Sequence, residues 1–497
     1  MPLKLYNSYT REKEVFTSFT PGHVGMYVCG PTVSGESHLG HARPYITFDV
    51  VFRYLLHNGY KVRYVRNITD AGHFEEEGKE AEDKVSKKAL LEKLEPMELV
   101  QKYTNLFHWA MKEFNCIEPT IEPTATGHIV EQINMIKKII EAGYAYEVNG
   151  SVYFDVKKYA ASHDYGKLSG RVIEELLETT RALEGQEEKR DRSDFALWKS
   201  AAPEHIMRWT SPWGEGFPGW HIECSAMATK YLGSHFDIHG GGMDLQFPHH
   251  ESEIAQSTIC NHESPVRYWM HNNMITINGR KMGKSYNNQI KLTEMFSGNH
   301  PLLSQAFGPM TIRFFILQSH YRSTLDFSSE ALVASEKAFK RLWDAYEILL
   351  KFSEDDAGKT AEDNEVDNKI NKWLDEFNEF MDDDFSTPKI LANMFEIAPF
   401  INSVKDGLIK KDAISIDTLK KLKASFKTYL EDIFGLKNPM EAKNNLLDGV
   451  MELLIDIRKD AKTKKDYTTS DKIRNQLQQL GILLNDEKNG NMSRNIE

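Results

Sequence analysis

Residues 24–70 read VGMYVCGPTVSGESHLGHARPYITFDVVFRYLLHNGYKVRYVRNITD, and this stretch decides the fold. Val24–Cys29 is a short β-rich run that stops at the turn-forming pair Gly30-Pro31. From His38 to His57 the apolar residues recur at helical spacing, which predicts a helix. A second strand is predicted at Lys61–Ile68. This strand–helix–strand unit predicts the opening of a Rossmann-type, doubly wound parallel sheet.

The same pattern resumes after residue 215. A helix is predicted at Gly219–Leu232, a strand at His235–His239, a loop at Gly240–Gly242 and a helix at His249–Ile259. The irregular stretch at about 125–215 is therefore interpreted as a connective domain inserted between two halves of the sheet. Ligands of such sheets bind at the carboxyl ends of the strands.

Composition narrows the class of protein. The chain has 497 residues, too many for one ordinary domain, and its apolar and charged shares are those of a globular protein. No apolar run approaches the roughly 18 residues that span a bilayer, and no secretory signal is visible. The four cysteines, at positions 29, 116, 224 and 260, form no CxxC pair. We therefore expect a cytoplasmic protein with reduced thiols and no membrane partner.

The boundaries follow from these shifts in pattern. An α-helical region follows the α/β part, and the final segment carries a basic stretch from Arg458 to Arg474. The net charge of −12 argues mildly against a nucleic-acid partner, so such a partner needs a local basic surface. The predicted units are a Rossmann-type domain at 1–290, a connecting segment at 291–335, a helical bundle at 336–439 and a small C-terminal unit at 440–497.

Two short segments carry recognisable chemistry. HLGH (38–41) follows the first strand at a predicted helix start, and KMGKS (281–285) lies downstream of the second α/β half. Together and in this order they resemble the two signature sequences of class I aminoacyl-tRNA synthetases. The resemblance implies activation of an amino acid by ATP, in which negative charge gathers on phosphate oxygens.

The residues of both segments suit that reaction. His38 and His41 are expected at a helix N-terminus, which favours anions, and Gly40 is expected to let the nucleotide approach the backbone. Lys281 and Lys284 are expected to reach the phosphates of ATP, which binds together with Mg²⁺. Leu39 and Gly283 occupy slots that commonly vary among these enzymes, whereas Gly127 replaces a usual Glu.

The rest of the chain resembles one family of the class, the cysteinyl-tRNA synthetases. The matching blocks are YVCGPTV (27–33), NITD (67–70), YGKLSG (165–170), DFALWK (194–199), GWHIECSAM (219–227), FDIHGGGMDLQFPHHESEIAQS (236–257), YWMHN (268–272) and MDDDFSTP (381–388). The resemblance implies L-cysteine and tRNA(Cys) as substrates. It also implies a monomer with a C-terminal anticodon-binding unit.

A zinc ion is also implied by the resemblance. The positions that match the family's ligands are Cys29, Cys224, His249 and Glu253. His249 and Glu253 are four residues apart on a predicted helix and therefore share a face. The residues alone leave three competing candidates, which are His221, His250 and Glu251. Because zinc favours thiolate sulfur, such a site would select cysteine over serine.

Further roles carry over from matching positions. Thr32, Trp220 and His239 match residues that line the amino-acid pocket, and Gly240, Gly241 and Asp244 match the segment that lies against the adenosine. Two rival interpretations are a ligase that joins cysteine to an amino sugar and a non-catalytic RNA- or zinc-binding protein. The C-terminal unit argues against the first rival, and the intact motifs argue against the second.

Overall fold

The computed structural model describes residues 2–71, 84–171, 188–203, 205–262, 264–283, 286–358, 365–439, 453–464, 466–479, 482–486 and 492–496. The chain divides into two compact units, Met1–Leu436 and Lys437–Glu497. The second unit begins three residues before the predicted boundary at 440. The finer subdivision predicted within the first unit stays a prediction.

The elements follow one another along the chain. The strands are β1 Lys4–Asn7, β2 Glu12–Val15, β3 His23–Val28, β4 Lys61–Arg66, β5 Ala145–Val148, β6 Ser151–Phe154, β7 Phe195–Ser200, β8 Trp209–Ser211, β9 Gly214–Pro218, β10 Phe236–Gly242, β11 Val266–Asn272, β12 Ile275–Ile277, β13 Arg280–Lys281, β14 Leu325–Phe327, β15 Ile482–Asp486 and β16 Met492–Ile496. The main α-helices are α1 Leu39–His57, α2 Lys84–Glu92, α3 Pro96–Glu113, α4 Ile129–Glu141, α5 Val156–Ala160, α6 Trp220–Leu232, α7 Glu251–Asn261, α8 Leu292–Ser297, α9 Pro309–Leu317, α10 Ser329–Leu350, α11 Glu365–Asp382, α12 Thr387–Lys405, α13 Ile416–Phe426 and α14 Tyr467–Gln479.

A four-stranded parallel sheet in the order β11-β10-β3-β4 forms the centre of the first unit. The chain leaves β3 towards one edge through α1 and β4, and later fills the other edge with β10 and β11. The order of the strands therefore reverses between β3 and β10, where doubly wound sheets bind their ligands. This confirms the predicted Rossmann-type architecture.

One predicted loop was wrong. Gly240–Gly242 continues β10 to its end and pairs in parallel with Met270–Asn272 of β11. Glycine is a weak strand former, which led to the wrong prediction. A Cβ on Gly240 would overlap the ring of Phe48 on α1, so the close packing of helix on strand requires glycine here.

The inserted segment folds as a five-stranded antiparallel sheet in the order β5-β6-β7-β9-β8. It has a hydrophobic core of its own, which includes Phe154, Phe195 and Trp198. Helices α4, α6 and α7 contribute further apolar side chains to that core, and so join it to the central sheet. The strands end at Pro218, just past the predicted limit of the connective domain.

Helices α9 to α13 follow the α/β part, and their apolar faces share one continuous core with α1 and the central sheet. Helix α1 is thereby covered by the sheet on one side and by downstream helices on the other. It contacts β4, β10 and β11 as well as α9. Because they share this core, the α/β part and the helical region form one compact unit.

The second unit contains a helix over residues 453–463, helix α14 and the antiparallel pair β15–β16. Among the described residues of this unit, Leu477 is buried and packs against Leu454, Ile455 and Ile473. Arg458 is 1% exposed, so its predicted place on an open basic surface was wrong. The reason lies in helical spacing, because Arg458 shares a face with Leu454 and Ala461.

Candidate active site

The HLGH segment forms the start of α1 as predicted. His38 is the N-terminal capping residue, and its Nδ1 accepts a hydrogen bond from the Gly40 N–H at 3.1 Å. The Nδ1 of His41 accepts from the His38 N–H at 3.1 Å, and the two rings stack with centroids 3.8 Å apart. Because each Nδ1 accepts a backbone proton, the neutral ring carries its own proton on Nε2.

The electrostatics of His41 agree with this geometry. Loss of solvent around the ring, together with the neighbouring His38, lowers the pKa of His41 to about 3. His41 is therefore neutral at pH 7 and offers an Nε2–H donor. A donor at the N-terminus of a 19-residue helix is suited to binding a phosphate oxygen.

The second motif contacts the first. A Cβ added to Gly40 would lie 2.8 Å from the Met282 methyl and 3.0 Å from the His38 ring. Gly40 therefore leaves room for the side chain of Met282, whereas the sequence had suggested room for the nucleotide. The predicted phosphate-binding residue Lys281 is exposed at the end of β13, and Lys284 lies outside the described residues.

Backbone hydrogen bonds tie the start of α1 to the segment that follows KMGKS. The N–H of Leu39 donates to the Ile290 carbonyl at 3.0 Å, and the N–H of Leu292 donates to the Ser37 carbonyl at 2.9 Å. The side chain of Asn288 closes the intervening loop, since it accepts from the Gly283 N–H at 2.9 Å and donates to the Lys281 carbonyl at 3.1 Å. The structure thus brings together two segments that are far apart in sequence.

The glycines predicted to lie against the adenosine pack closely against side chains of the protein. A Cβ on Gly241 would lie 2.8 Å from the His250 ring, and a Cβ on Gly242 would overlap Asp244 Oδ1. Asp244 itself is exposed, beyond the carboxyl end of β10. Close packing therefore requires glycine at positions 240 and 241, whether or not a ligand binds there.

A cluster of metal-binding side chains lies at the reversal point of the sheet. Cys29 follows β3, Cys224 belongs to α6, Glu253 belongs to α7, and His249 lies in the π-helical turn before α7. One ligand atom from each of these four residues lies within 4.8 Å of all the others, and all four residues are buried. These are the four residues that the family resemblance implied.

The separations suit tetrahedral zinc. The two Sγ atoms are 4.0 Å apart, and His249 Nε2 is 3.1 Å from Glu253 Oε1. Two thiolates bound to zinc at about 2.3 Å in a tetrahedron are about 3.8 Å apart, and N and O ligands at about 2.0–2.1 Å are about 3.3 Å apart. The donor set and its spacing therefore fit this metal.

Of the three competing ligand candidates, His221 and Glu251 lie outside the proposed ligand set, whereas His250 remains a possible ligand. His221 Nδ1 lies 3.0 Å from His249 Nδ1, so it sits behind a proposed ligand. Glu251 points away and accepts from the Ser169 N–H at 3.1 Å. His250 Nε2 is 3.2 Å from Cys29 Sγ, and a second possible set combines His250 and His239 with Cys29 and Glu253.

The thiols of this cluster are protonated as long as no cation is near. Burial raises the pKa of Cys29 to about 12 and that of Cys224 well above its ordinary value. Burial also lowers the pKa of His221 to about 3, so that ring is neutral. A bound divalent cation reverses this preference for the thiols, because it stabilises the thiolate.

Of the three residues expected to line the amino-acid pocket, Trp220 and His239 contact this cluster. The ring of Trp220 lies 4.5 Å from that of His249, centroid to centroid. His239 Nε2 is 2.9 Å from Glu253 Oε2, and its ring stacks on Trp269. Thr32 follows Cys29 by three residues and pairs with Thr69 after β4.

Two residues of the site, His271 and Ser8, were not predicted from the sequence. His271 Nε2 is 2.8 Å from His250 Nδ1, and its own Nδ1 is 2.8 Å from Ser8 Oγ. They anchor His250 from behind. His271 stood in a matching block and could have been noted, whereas nothing in the sequence around Ser8 indicates that it reaches the site.

The basic residues of the C-terminal stretch differ in their exposure to solvent. Lys464, Lys472 and Arg474 are exposed, although Arg474 pairs with Asp471 at 3.2 Å. Lys459 and Lys462 are half-buried, and Lys465 lies outside the described residues. With Arg458 buried, the open basic surface is smaller than the sequence suggested.

Comparison with known proteins agrees with the fold and the motifs. Residues 15–337 match the family described as tRNA synthetases class I (C) catalytic domain, and residues 376–438 match the DALR domain. Among solved structures, an arginyl-tRNA synthetase of Campylobacter jejuni described as putative shares 13% identity at a TM-score of 0.57, covering 84% of this chain and 94% of that one. A methionyl-tRNA synthetase of Mycobacterium tuberculosis shares 14% identity at a TM-score of 0.52, covering 83% and 89%. At such low identity these likenesses show the fold.

Curated relatives are much closer in sequence. The cysteine–tRNA ligase of Bacteroides fragilis is 56% identical over 98% of both chains. Those of Cytophaga hutchinsonii and Chlorobaculum tepidum are 53% and 46% identical, again over 98% of both chains. The chain therefore belongs to the cysteine–tRNA ligase family of class I synthetases. It is accordingly a ligase that forms an aminoacyl-tRNA bond.

Within the part of the chain that the structure describes, no helix combines the length and apolarity needed to cross a bilayer.

Proposed function

We propose that the chain activates L-cysteine with ATP to cysteinyl-adenylate, releases pyrophosphate, and transfers cysteine to the terminal adenosine ribose of tRNA(Cys). The observation that carries this proposal is the convergence of Cys29, Cys224, His249 and Glu253 at the reversal point of the sheet. After the carboxyl end of β3 the chain leads into the start of α1, which bears His38 and His41.

The proposed cysteine end of the site is the buried one. Cys29, Cys224, His249 and Glu253 would hold one Zn²⁺, which would act as a Lewis acid and favour a thiolate ligand over a hydroxyl. Trp220 packs against His249 beside this set, and Thr32 is proposed to contact the cysteine from its matching position in the sequence. His221 orients the His249 ring, and His239 orients the Glu253 carboxylate. Fixed partners of this kind hold ligand atoms in place before the substrate arrives.

The proposed phosphate end is the start of α1. His38 and His41 donate from Nε2 to oxygens of the ATP, whose phosphates would be bound with Mg²⁺, and the positive end of the helix dipole adds to this. Lys281, exposed at the end of β13, and Lys284 are proposed as further phosphate-binding residues from their places in the motif. These donors stabilise charge that develops as the cysteine carboxylate attacks the α-phosphate and pyrophosphate leaves.

The tRNA is proposed to be recognised in part by the C-terminal unit. The exposed Lys464 and Lys472 support this. The match to the DALR domain covers residues 376–438, almost entirely in helices α11 to α13 of the first unit, so we propose that these helices take part in tRNA recognition as well. We further propose that the protein is a cytoplasmic monomer. Its four cysteines carry free thiols, as in reducing compartments.

One assay tests the proposal. The purified chain is incubated with ATP, cysteine and either total tRNA or the amino sugar, and its zinc content is measured alongside. We expect cysteinyl-tRNA, one zinc per chain and a particle of 57.1 kDa by light scattering. Ligation to the amino sugar alone, or activation of another amino acid in preference to cysteine, would overturn it.

A further inference from the structure

A buried charged cluster lies far from the reacting groups, on the same helix as the HLGH segment. Its members are Asp49 and Arg53 on α1, Arg313 on α9, and Asn115 after α3, and together they are called the Asp49 cluster. Asp49 is 2% exposed and Arg313 is completely buried. Asp49 follows His38 by about three helical turns.

Every polar atom of the Asp49 carboxylate is bound. Its Oδ2 accepts from Arg53 Nε at 2.8 Å and from an Nη of Arg313, and its Oδ1 accepts from the Ile117 N–H at 2.7 Å. The two guanidinium groups carry one more charge than the carboxylate neutralises. Burial of that charge is unfavourable unless other acceptors face it.

Those acceptors are backbone carbonyls at the very end of the first unit. Arg313 Nε donates to the Phe434 carbonyl at 2.6 Å, and Arg53 donates to the Asp432 carbonyl at 3.0 Å. Asn115 Nδ2 donates to the Gly435 carbonyl at 2.9 Å. Asp432 lies in the last turn of the π-helical segment Lys427–Ile433, and Phe434 and Gly435 follow it, at the end where the helix dipole favours cations.

The fit around Gly435 is tight. Its φ is +58°, and an added Cβ would lie 2.6 Å from Arg313 Nη2 and 3.1 Å from Arg53 Cζ. The chain therefore approaches both guanidinium groups closely in a conformation that favours glycine. Leu436 ends the first unit one residue later, and the second unit begins at Lys437.

We propose that the Asp49 cluster is a positioning element for the tRNA-dependent step. It fixes the last residues of the first unit on the helix that carries His38 and His41. The chain consequently leaves towards the C-terminal unit from a point that is tied to the ATP-binding helix. This inference rests on the proposed function, since it takes tRNA as the partner of the C-terminal unit.

Two variants test it. Asn115→Gly removes the bond to the Gly435 carbonyl and keeps the backbone at Asn115, whose φ is +55°, relaxed. Arg53→Met keeps the apolar stem and removes three donated hydrogen bonds. Arg63→Met is the matched control, because Arg63 is an exposed arginine of the same unit whose guanidinium donates to the Tyr231 carbonyl, away from the Asp49 cluster.

The measurements are cysteine-dependent ATP–pyrophosphate exchange and aminoacylation, both normalised to titrated active sites. We expect exchange within about twofold of the wild type, and kcat/KM for tRNA lowered about tenfold, chiefly through KM, in both variants. If Arg53→Met fails to fold, Asn115→Gly decides the matter alone.

A parallel fall of exchange and aminoacylation would show a merely structural cluster and overturn the inference. So would an unchanged kcat/KM for tRNA in Asn115→Gly. Failure of the proposed function is recognised separately, because the wild-type protein would then form no cysteinyl-tRNA.

Discussion

The cysteine end and the phosphate end of the proposed site are built in opposite ways. At the cysteine end four ligand residues are buried, and neighbours such as His221 and His239 hold them from behind. At the phosphate end His38 and His41 are half-buried and Lys281 is exposed. Selection of one small thiol depends on fixed atoms in a closed space, whereas a triphosphate needs an open approach and donors that reach it. The following predictions test this contrast, from the largest expected effect to the smallest.

Cys224→Ser probes the cysteine end most directly. We expect loss of zinc and a fall of about 10³-fold or more in kcat/KM for cysteine, since a metal Lewis acid contributes several kcal/mol. The measurements are zinc content and cysteine-dependent exchange. The matched control is Cys260→Ser, because Cys260 lies elsewhere, with its Sγ 3.8 Å from the Met135 carbonyl. Unchanged exchange in Cys224→Ser would sink the idea of recognition through zinc.

His41→Ala probes the phosphate end. Removal of the neutral Nε2–H donor should lower kcat for exchange about 10²-fold, as the loss of one preorganised donor does elsewhere. Zinc content should not change, because the ring lies at the start of α1 and not in the cluster. His23→Ala, at an exposed position of β3, serves as the control. A loss of zinc from His41→Ala would mean that the two ends are not separate.

His221→Ala separates a ligand from its support. The ring lies behind His249, so we expect zinc affinity to fall about 10- to 100-fold without complete loss of the metal. Competition with a chelator gives the affinity. His128→Ala controls for the loss of a buried ring, because the two histidines are 6% and 7% exposed. A complete loss of zinc would instead make His221 a ligand and contradict the proposed set.

Gly40→Ala tests the contact between the two motifs. Its Cβ would crowd the Met282 methyl and the His38 ring, which should cost about 1 kcal/mol and lower kcat for exchange about fivefold. Met282→Ala in the same chain should restore part of the loss. Gly35→Ala is the control, since no atom lies within 4 Å of a Cβ there. No recovery in the double variant would assign the effect to the nucleotide itself, as the sequence had suggested.

The local pattern predicted much of the fold. Strand β3, helix α1 and strand β4 were predicted within a few residues, because alternation and helical spacing are properties of short segments. The parallel sheet followed from their order. The strand at Gly240–Gly242 was not predicted. The local sequence does not distinguish a glycine that packs against Phe48 or His250 from a glycine in a loop.

The candidate site was predictable only through resemblance. Cys29, Cys224, His249 and Glu253 lie on four separate segments, and nothing in their spacing shows that they meet. The amphipathic pattern around Arg458 could have warned that this arginine lies on an apolar face, since Leu454 and Ala461 share it.

The sequence by itself determined the elements, the two motifs and the family. Only the tertiary structure decided that Nδ1 of both His38 and His41 accepts a backbone hydrogen bond. It also decided that Met282 packs against Gly40 and that His221 contacts the Nδ1 side of His249. The tertiary structure further decided that the Asp49 cluster ties α1 to the last residues of the first unit. Such facts depend on which surfaces meet at atomic distance, and hydrogen bonds and close packing form between segments whose separation along the chain does not reveal their contact.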